Sequence, residues 1–94
     1  IIKLKNKYIM FYAAWKSNNS GNINLALSND GIKWKKNSEE IFTNLLPYKI
    51  VSEPFALIHK EFIYIYYEYK IKKKWNIGYL SYRKKDFISK YLLS

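Results

Sequence analysis

The chain has 94 residues and a mass of 11.4 kDa, so it holds one domain at most. Hydrophobic residues make up 49% of it and aromatic residues 19%, which predicts a packed globular structure and excludes the disordered, collagenous and coiled-coil classes. The net charge is +10, but only Arg83 is an arginine. Since readers of bases and phosphates in nucleic acids rely mainly on the bidentate guanidinium group, nucleic acid is not the predicted partner.

The composition also bears on membranes and on cysteine chemistry. The longest apolar run without a charge, residues 8–15, is far shorter than the roughly 20 residues that cross a bilayer, so no membrane partner is predicted. The chain contains no cysteine, which excludes disulfides, thiolate metal sites and cysteine nucleophiles and leaves the cellular compartment open. Because Ile1 falls inside an apolar pattern, we expect further residues upstream.

Strands are predicted along most of the chain, from runs of β-branched and aromatic residues separated by short turn-forming clusters. The runs are 8–13, 23–28, 50–51, 55–58, 62–67 and 77–80, and the turn clusters are 17–21, 28–31 and 70–74. No segment has the periodicity of an amphipathic helix of ten or more residues. The predicted fold class is all-β.

An internal repeat refines this prediction. A shift of residues 1–30 by 54 positions keeps the apolar phase through two strands and their loops, and it aligns 7–12 with 61–66. Each unit reads as one four-stranded antiparallel blade of a β-propeller. The predicted division is therefore a partial propeller domain over 1–94, with blade one at 1–49 and blade two at 50–94.

Three motifs carry a resemblance to a known group of families. They are the segment 28–34, which reads Ser-Asn-Asp-Gly-Ile-Lys-Trp, the strand 7–12 before it and the Glu53-Pro54 pair after it. Together they resemble the five-bladed β-propeller glycosidases, a group that includes arabinanases, xylosidases, fructosidases and mannoside phosphorylases. The resemblance covers nearly the whole chain but only two blades of five, so neighbouring blades of the same polypeptide are the expected partners.

This resemblance implies an enzyme that cleaves O-glycosidic bonds of an oligosaccharide or glycoside with paired carboxylates, without a cofactor. No metal is predicted. The alternative, from a different functional class, is a non-catalytic propeller that binds carbohydrate or acts as a scaffold. The motif around Asp30 is a structural hairpin in the resembled families, and Asp-Gly is itself a preferred turn sequence, so Asp30 is predicted to be a turn residue.

Glu53 is the predicted catalytic residue. It precedes Pro54 at the entrance to an innermost strand, where the resembled families place acidic residues that line the central channel. Its role is open between general acid, modulator of a neighbouring pKa and ligand of a sugar hydroxyl, and the structural alternative is a carboxylate that caps the strand. The equivalent position of the other blade falls before Ile1, so the 94 residues alone are expected to be inactive.

The other candidates are weaker. Glu68, at the end of a strand, and Trp15 and Trp75, in polar loops where rings can stack on sugars, are predicted to bind substrate. The remaining carboxylates lie in or beside predicted turns and are expected to be solvated charges: Glu39, Glu40, Glu61 and Asp86. His59 has no neighbouring ligand spacing and is expected at the surface. Most tyrosines are expected in the core.

Overall fold

The computed structural model describes residues 1–17, 20–37 and 50–92, which are mostly β-structure. Its strands are β1 (Ile2–Leu4), β2 (Lys7–Ser17), β3 (Ser20–Ser28), β4 (Lys35–Lys36), β5 (Val51–His59), β6 (Phe62–Ile71) and β7 (Lys74–Arg83). A helix α1 (Lys84–Phe87) follows and continues as a π-helical turn, Ile88–Leu92. In these described ranges no helix is long and apolar enough to cross a membrane.

The strands form two antiparallel sheets, which confirms the prediction of antiparallel β-structure. The first sheet has the order β1-β2-β3-β4 and the second has the order β5-β6-β7. In each sheet the strands follow one another along the chain. Two-residue turns with positive φ join β1 to β2, at Lys5 and Asn6, and β6 to β7, at Lys72 and Lys73, where φ is 49° and 67°. Positive φ at both turn residues matches the right-handed twist of the flanking strands.

A single hydrophobic core joins both sheets and the helical segment 84–92. The fully buried side chains alternate along the strands, as expected where one face of a sheet is covered. They are Ile9, Ile23 and Leu25 from the first sheet, Val51, Ile63 and Ile65 from the second, and Phe87 from α1. The edge strand β5 lies against β2 and β3 of the first sheet.

The prediction of two four-stranded blades is wrong for the second unit, because the chain turns into a helix after β7. Phe87 is fully buried, and its ring centroid lies 6.0 Å from that of Phe11 and 5.7 Å from that of Tyr82. Tyr91 follows one helical turn later, with its ring 4.7 Å from that of Phe87. A helix places residues i and i+4 on one side, and so it buries both rings in the core.

The same packing affects a titratable group on β7. Burial raises the pKa of Tyr82 to about 12, and the neighbouring Tyr91 adds to this rise through its charge and a hydrogen bond. The Tyr82 hydroxyl therefore stays neutral and able to donate a hydrogen bond across the physiological pH range.

The repeat between the two sheets has two values of the shift. The turn that begins at Lys5 corresponds to the one that begins at Lys60, which is a shift of 55 residues, whereas β3 begins at Ser20 and β7 at Lys74, a shift of 54. The extra residue lies in a bulge of β2 after Trp15. The ungapped alignment at 54 is thus right for β3 and β7 and wrong by one residue for the strands before the bulge.

Opposite faces of the repeated unit meet in the core. The cross-strand pair Phe11 and Leu25 of the first sheet is buried there. Its equivalent in the second sheet is the pair Tyr66 and Tyr79, which points away from the core and is 37% and 59% exposed. A one-residue change of alignment exchanges the two faces of a strand, so this relation becomes visible only with the corrected shift.

The converse relation holds as well. Ile65 and Leu80 pack into the core from the second sheet, and their equivalents in the first sheet are Met10 and Ala26 on the face away from that core. Successive units therefore pack unlike faces together. Such packing can continue in one direction, whereas a sandwich of like faces closes on itself.

Gly78 gives a prediction for stability. A methyl group there would lie 2.9 Å from both Cζ and Oη of Tyr67, which is buried on the neighbouring strand. Gly78→Ala should therefore lower the free energy of unfolding by about 1–3 kcal/mol, because the ring must shift in a packed core. Urea denaturation measures this change. Ser81→Ala, at an exposed position of β7, is the control, and a Gly78→Ala variant as stable as that control would contradict the packing.

Candidate functional site

The candidate site is built around a bulge in β5. Glu53 and Pro54 together lie opposite a single residue of β6, Tyr67, so β5 carries one extra residue at this point. Glu53 is exposed and has a φ of +52°. A left-handed conformation outside glycine costs about 1–3 kcal/mol and persists only where the surrounding structure imposes it. Bulges of this kind often re-aim a side chain at sheet edges and beside active sites.

The surroundings of Glu53 bear on the structural alternative. A capping carboxylate would accept a hydrogen bond from the backbone at the strand start. Within the ranges that the structure describes, the Glu53 carboxylate accepts no such bond, and Lys70 instead donates its backbone N–H to the carbonyl of Ile50, at 3.1 Å. The carboxylate is therefore left available to a ligand.

Glu68 lies next to this bulge. In the register of the second sheet it pairs with Ser52 of β5 and with Ile77 of β7, and it is half-buried. Ser52 directly precedes Glu53, so the pairing places Glu68 on the strand beside the bulge, although the two carboxylate residues are 15 positions apart in the sequence.

The two tryptophans lie at corresponding ends of different sheets. Trp75 is 48% exposed and pairs with Lys70. The Nζ of Lys70 lies 5.7 Å from the centroid of the indole ring. Trp75 is two residues from Ile77, the partner of Glu68, and so belongs to the same end of the second sheet. Trp15 is 49% exposed beside the bulge of β2 in the first sheet, at the position equivalent to Lys70.

Asp30 lies in the loop between β3 and β4. Its Oδ1 accepts hydrogen bonds from the backbone N–H groups of Ile32 and Lys33, at 2.8 and 2.9 Å, and from the hydroxyl of Ser28, at 3.0 Å. These bonds lower the pKa of Asp30, with the Lys33 N–H making the largest contribution. The structure therefore supports the prediction that Asp30 is a turn residue. The hairpin loop spans six residues, 29–34, with Gly31 at a φ of +79°.

The remaining carboxylates and His59 add no further site. Glu61 and Asp86 are exposed, as expected for solvated charges, and His59 is exposed at the end of β5. Glu39 and Glu40 lie outside the described residues. Over the parts of the chain that are described, no three His, Cys, Asp or Glu side chains are grouped so that they could hold a metal ion.

Sequence reasoning missed an apolar surface on the second sheet, which we call the aromatic face. It consists of four rings and one isoleucine, of which Tyr64 is half-buried and the others are exposed: Phe55, Tyr64, Tyr66, Tyr79 and Ile77. Phe55, Tyr66 and Tyr79 face one another across the three strands. The ring centroids of Tyr66 and Tyr79 are 5.7 Å apart, and Tyr64 lies 6.3 Å from Tyr79. Alternation of Tyr with Ile over 63–66 was the available signal, since it makes both faces of β6 apolar.

Comparison of the chain with protein-family models, with curated proteins and with solved structures finds no significant match.

Proposed function

We propose that this chain is part of a larger carbohydrate-active β-propeller protein that cleaves O-glycosidic bonds, either as a glycoside hydrolase or as a phosphorylase. The observation that carries this proposal is the exposed carboxylate of Glu53, which the β5 bulge holds in a strained conformation. Glu68 pairs with Ser52, the residue before Glu53, and is the second candidate carboxylate. Glycoside hydrolases commonly cleave the bond with two carboxyl groups, one on each side of it.

The packing of the sheets supports the propeller. Blades related by rotation about a channel must pack unlike faces together, as the two sheets do here. Each sheet also starts at an edge strand, β1 or β5, and proceeds outward strand by strand, as blades do from the channel to the rim. The buried pair Phe11 and Leu25 is equivalent to Tyr66 and Tyr79, so the aromatic face is the surface on which a following blade would pack.

The chemistry follows from the position of Glu53. Glu53 is exposed on the edge strand β5, which in a propeller would line the channel. As a general acid its carboxyl group would donate a proton to the leaving oxygen while water, or phosphate in a phosphorylase, attacks the anomeric carbon and replaces that oxygen. Glu68, on the neighbouring strand, would contact the sugar or would be the negatively charged carboxylate when Glu53 is protonated.

The alternative function is binding of carbohydrate without cleavage. The exposed rings of Trp15 and Trp75 favour it, because half-exposed indole rings provide apolar surfaces on which sugars stack. In that protein Glu53 would accept hydrogen bonds from sugar hydroxyls and would transfer no proton.

The test uses the polypeptide with its flanking sequence. A panel of aryl glycosides is incubated with it, with and without inorganic phosphate, and release of the aryl group is followed by absorbance. Turnover without phosphate identifies a hydrolase, and turnover that depends on phosphate identifies a phosphorylase. Binding of the same glycosides without any turnover would contradict the proposed cleavage and would support the alternative function, binding of carbohydrate.

A further inference from the structure

A basic groove lies on the first sheet, away from the β5 bulge. The loop 29–34, the start of β2, the short strand β4 and the π-helical turn Ile88–Leu92 enclose a volume of about 390 Å³. Its polar lining includes Lys7, Lys33, Lys35 and Asn29, and its aromatic lining is Trp34 and Tyr91. This volume falls within the range of small-molecule sites, which is about 300–1,000 Å³.

The charges of this groove are unbalanced. Among the lining residues that the structure describes, three are lysines and none carries a carboxylate. The nearest one in sequence, Asp30, directs its Oδ1 to the N–H groups of Ile32 and Lys33 in its own loop. Lys7 donates a hydrogen bond to a neutral acceptor, Oδ1 of Asn29, at 2.7 Å.

A second basic groove shows the contrast. Arg83, Lys84 and Lys85 line it together with Phe62, but Glu61 contributes a carboxylate to the same lining. The charge of that groove is thus partly balanced by the protein itself. The described lining of the groove beside the loop 29–34 has no such carboxylate, and a bound anion would balance the charge of its lysines.

We propose that the groove binds an oxyanion carried on a ring-sized molecule, namely the phosphate or sulfate ester of a sugar. Lys7, Lys33 and Lys35 would contact the ester oxygens, since ammonium groups form strong charge-assisted hydrogen bonds with such oxygens. Trp34 is half-buried and offers an apolar wall to the ring that carries the ester. This site is independent of Glu53 and of the proposed cleavage.

The experiment places a reporter inside the groove. Trp34 becomes the single tryptophan of the chain when Trp15→Phe and Trp75→Phe are introduced at two half-exposed positions. Glucose 6-phosphate, glucose 6-sulfate and glucose are titrated separately against this protein at micromolar concentration, and the fluorescence of Trp34 is recorded. Either ester should change the fluorescence with saturation below about 10 mM, and glucose should not.

Two variants locate the site. The double variant Lys33→Gln and Lys35→Gln should weaken ester binding at least about fivefold, because two charge-assisted bonds are lost. Asn29→Asp is a second variant that keeps all the lysines. This substitution places a carboxylate beside Lys7. It should weaken binding of the ester, because the carboxylate competes for the ammonium group of Lys7.

The control removes the same charge elsewhere. Lys72→Asn and Lys73→Asn change the exposed turn of the second sheet, where asparagine tolerates the positive φ. This control should bind the ester within about twofold of the parent protein, given that distant surface charges are screened. An equal loss in the control, a response to glucose as strong as to the esters, or no response to either ester would overturn the proposal.

Discussion

Replacing Glu53 by Gln is expected to lower the rate of glycosidic cleavage by on the order of 10² or more in the protein that carries this chain with its flanking sequence. The amide has nearly the shape of the carboxylate but cannot donate or accept the catalytic proton. Glu53 is exposed on a bulge, so the substitution should leave the fold unchanged. Initial rates on an aryl glycoside, together with the melting temperature of each variant, measure the two effects separately.

The pH dependence sharpens this prediction. If Glu53 is the general acid, Glu53→Gln should also remove the alkaline limb of the pH profile of kcat/KM, because that limb reports deprotonation of the acid. Glu61→Gln is the matched control, since Glu61 is an exposed glutamate in the turn after β5 and should retain nearly full activity. Full activity of Glu53→Gln, or cleavage by the isolated 94 residues, would show that the assignment of Glu53 is wrong.

Local sequence patterns were sufficient to predict five of the seven described strands. The β-branched and aromatic runs overlap β2, β3, β5, β6 and β7, whereas the short strands β1 and β4 contain no such run. Asp30 lies in the predicted turn and accepts backbone hydrogen bonds of its own loop. These features depend on residues that are close in the chain, so they can be predicted from the sequence without knowledge of the fold. The helical segment 84–92 was missed although Phe87, Ile88 and Tyr91 have helical spacing, because nine residues are too few for periodicity alone.

The neighbours of Glu53 could not be predicted in this way. The Glu53-Pro54 motif suggested Glu53, but the pairing of Glu68 with Ser52 depends on the register between β5 and β6. That register shifts at the bulge opposite Tyr67, a feature of the pairing between the two strands. The bulge after Trp15 likewise changes the alignment of the two units by one residue. The ungapped alignment therefore assigned the wrong face to Tyr66, whose exposure was not predicted.

The aromatic face should make the isolated 94-residue chain self-associate. Phe55 on β5 and Ile77 and Tyr79 on β7 are 63%, 76% and 59% exposed, and Tyr66 of the central strand β6 lies between them. A contiguous apolar surface of this kind is typical of an interaction site in a soluble protein. We expect the apparent mass, measured by light scattering after size exclusion, to rise with concentration in the micromolar to millimolar range.

Charges on this face should suppress the association. Burying one large apolar side chain contributes about 1.5–3 kcal/mol, so the double variant Ile77→Lys and Tyr79→Lys should weaken self-association at least about 100-fold. Both side chains are exposed, and the variant should therefore unfold at nearly the parent's denaturant midpoint.

The control is Ile32→Lys, which replaces an isoleucine that is 80% exposed in the loop 29–34, outside both sheets. It adds positive charge and removes apolar surface, as each substitution on the aromatic face does, but it should leave the association unchanged. A monomeric parent chain at high concentration would contradict the assignment of the aromatic face as a packing surface. An equal effect of Ile32→Lys would show that net charge, rather than the aromatic face, controls the association. Lysine adds the same charge at either position, whereas only the substitutions at Ile77 and Tyr79 change the aromatic face.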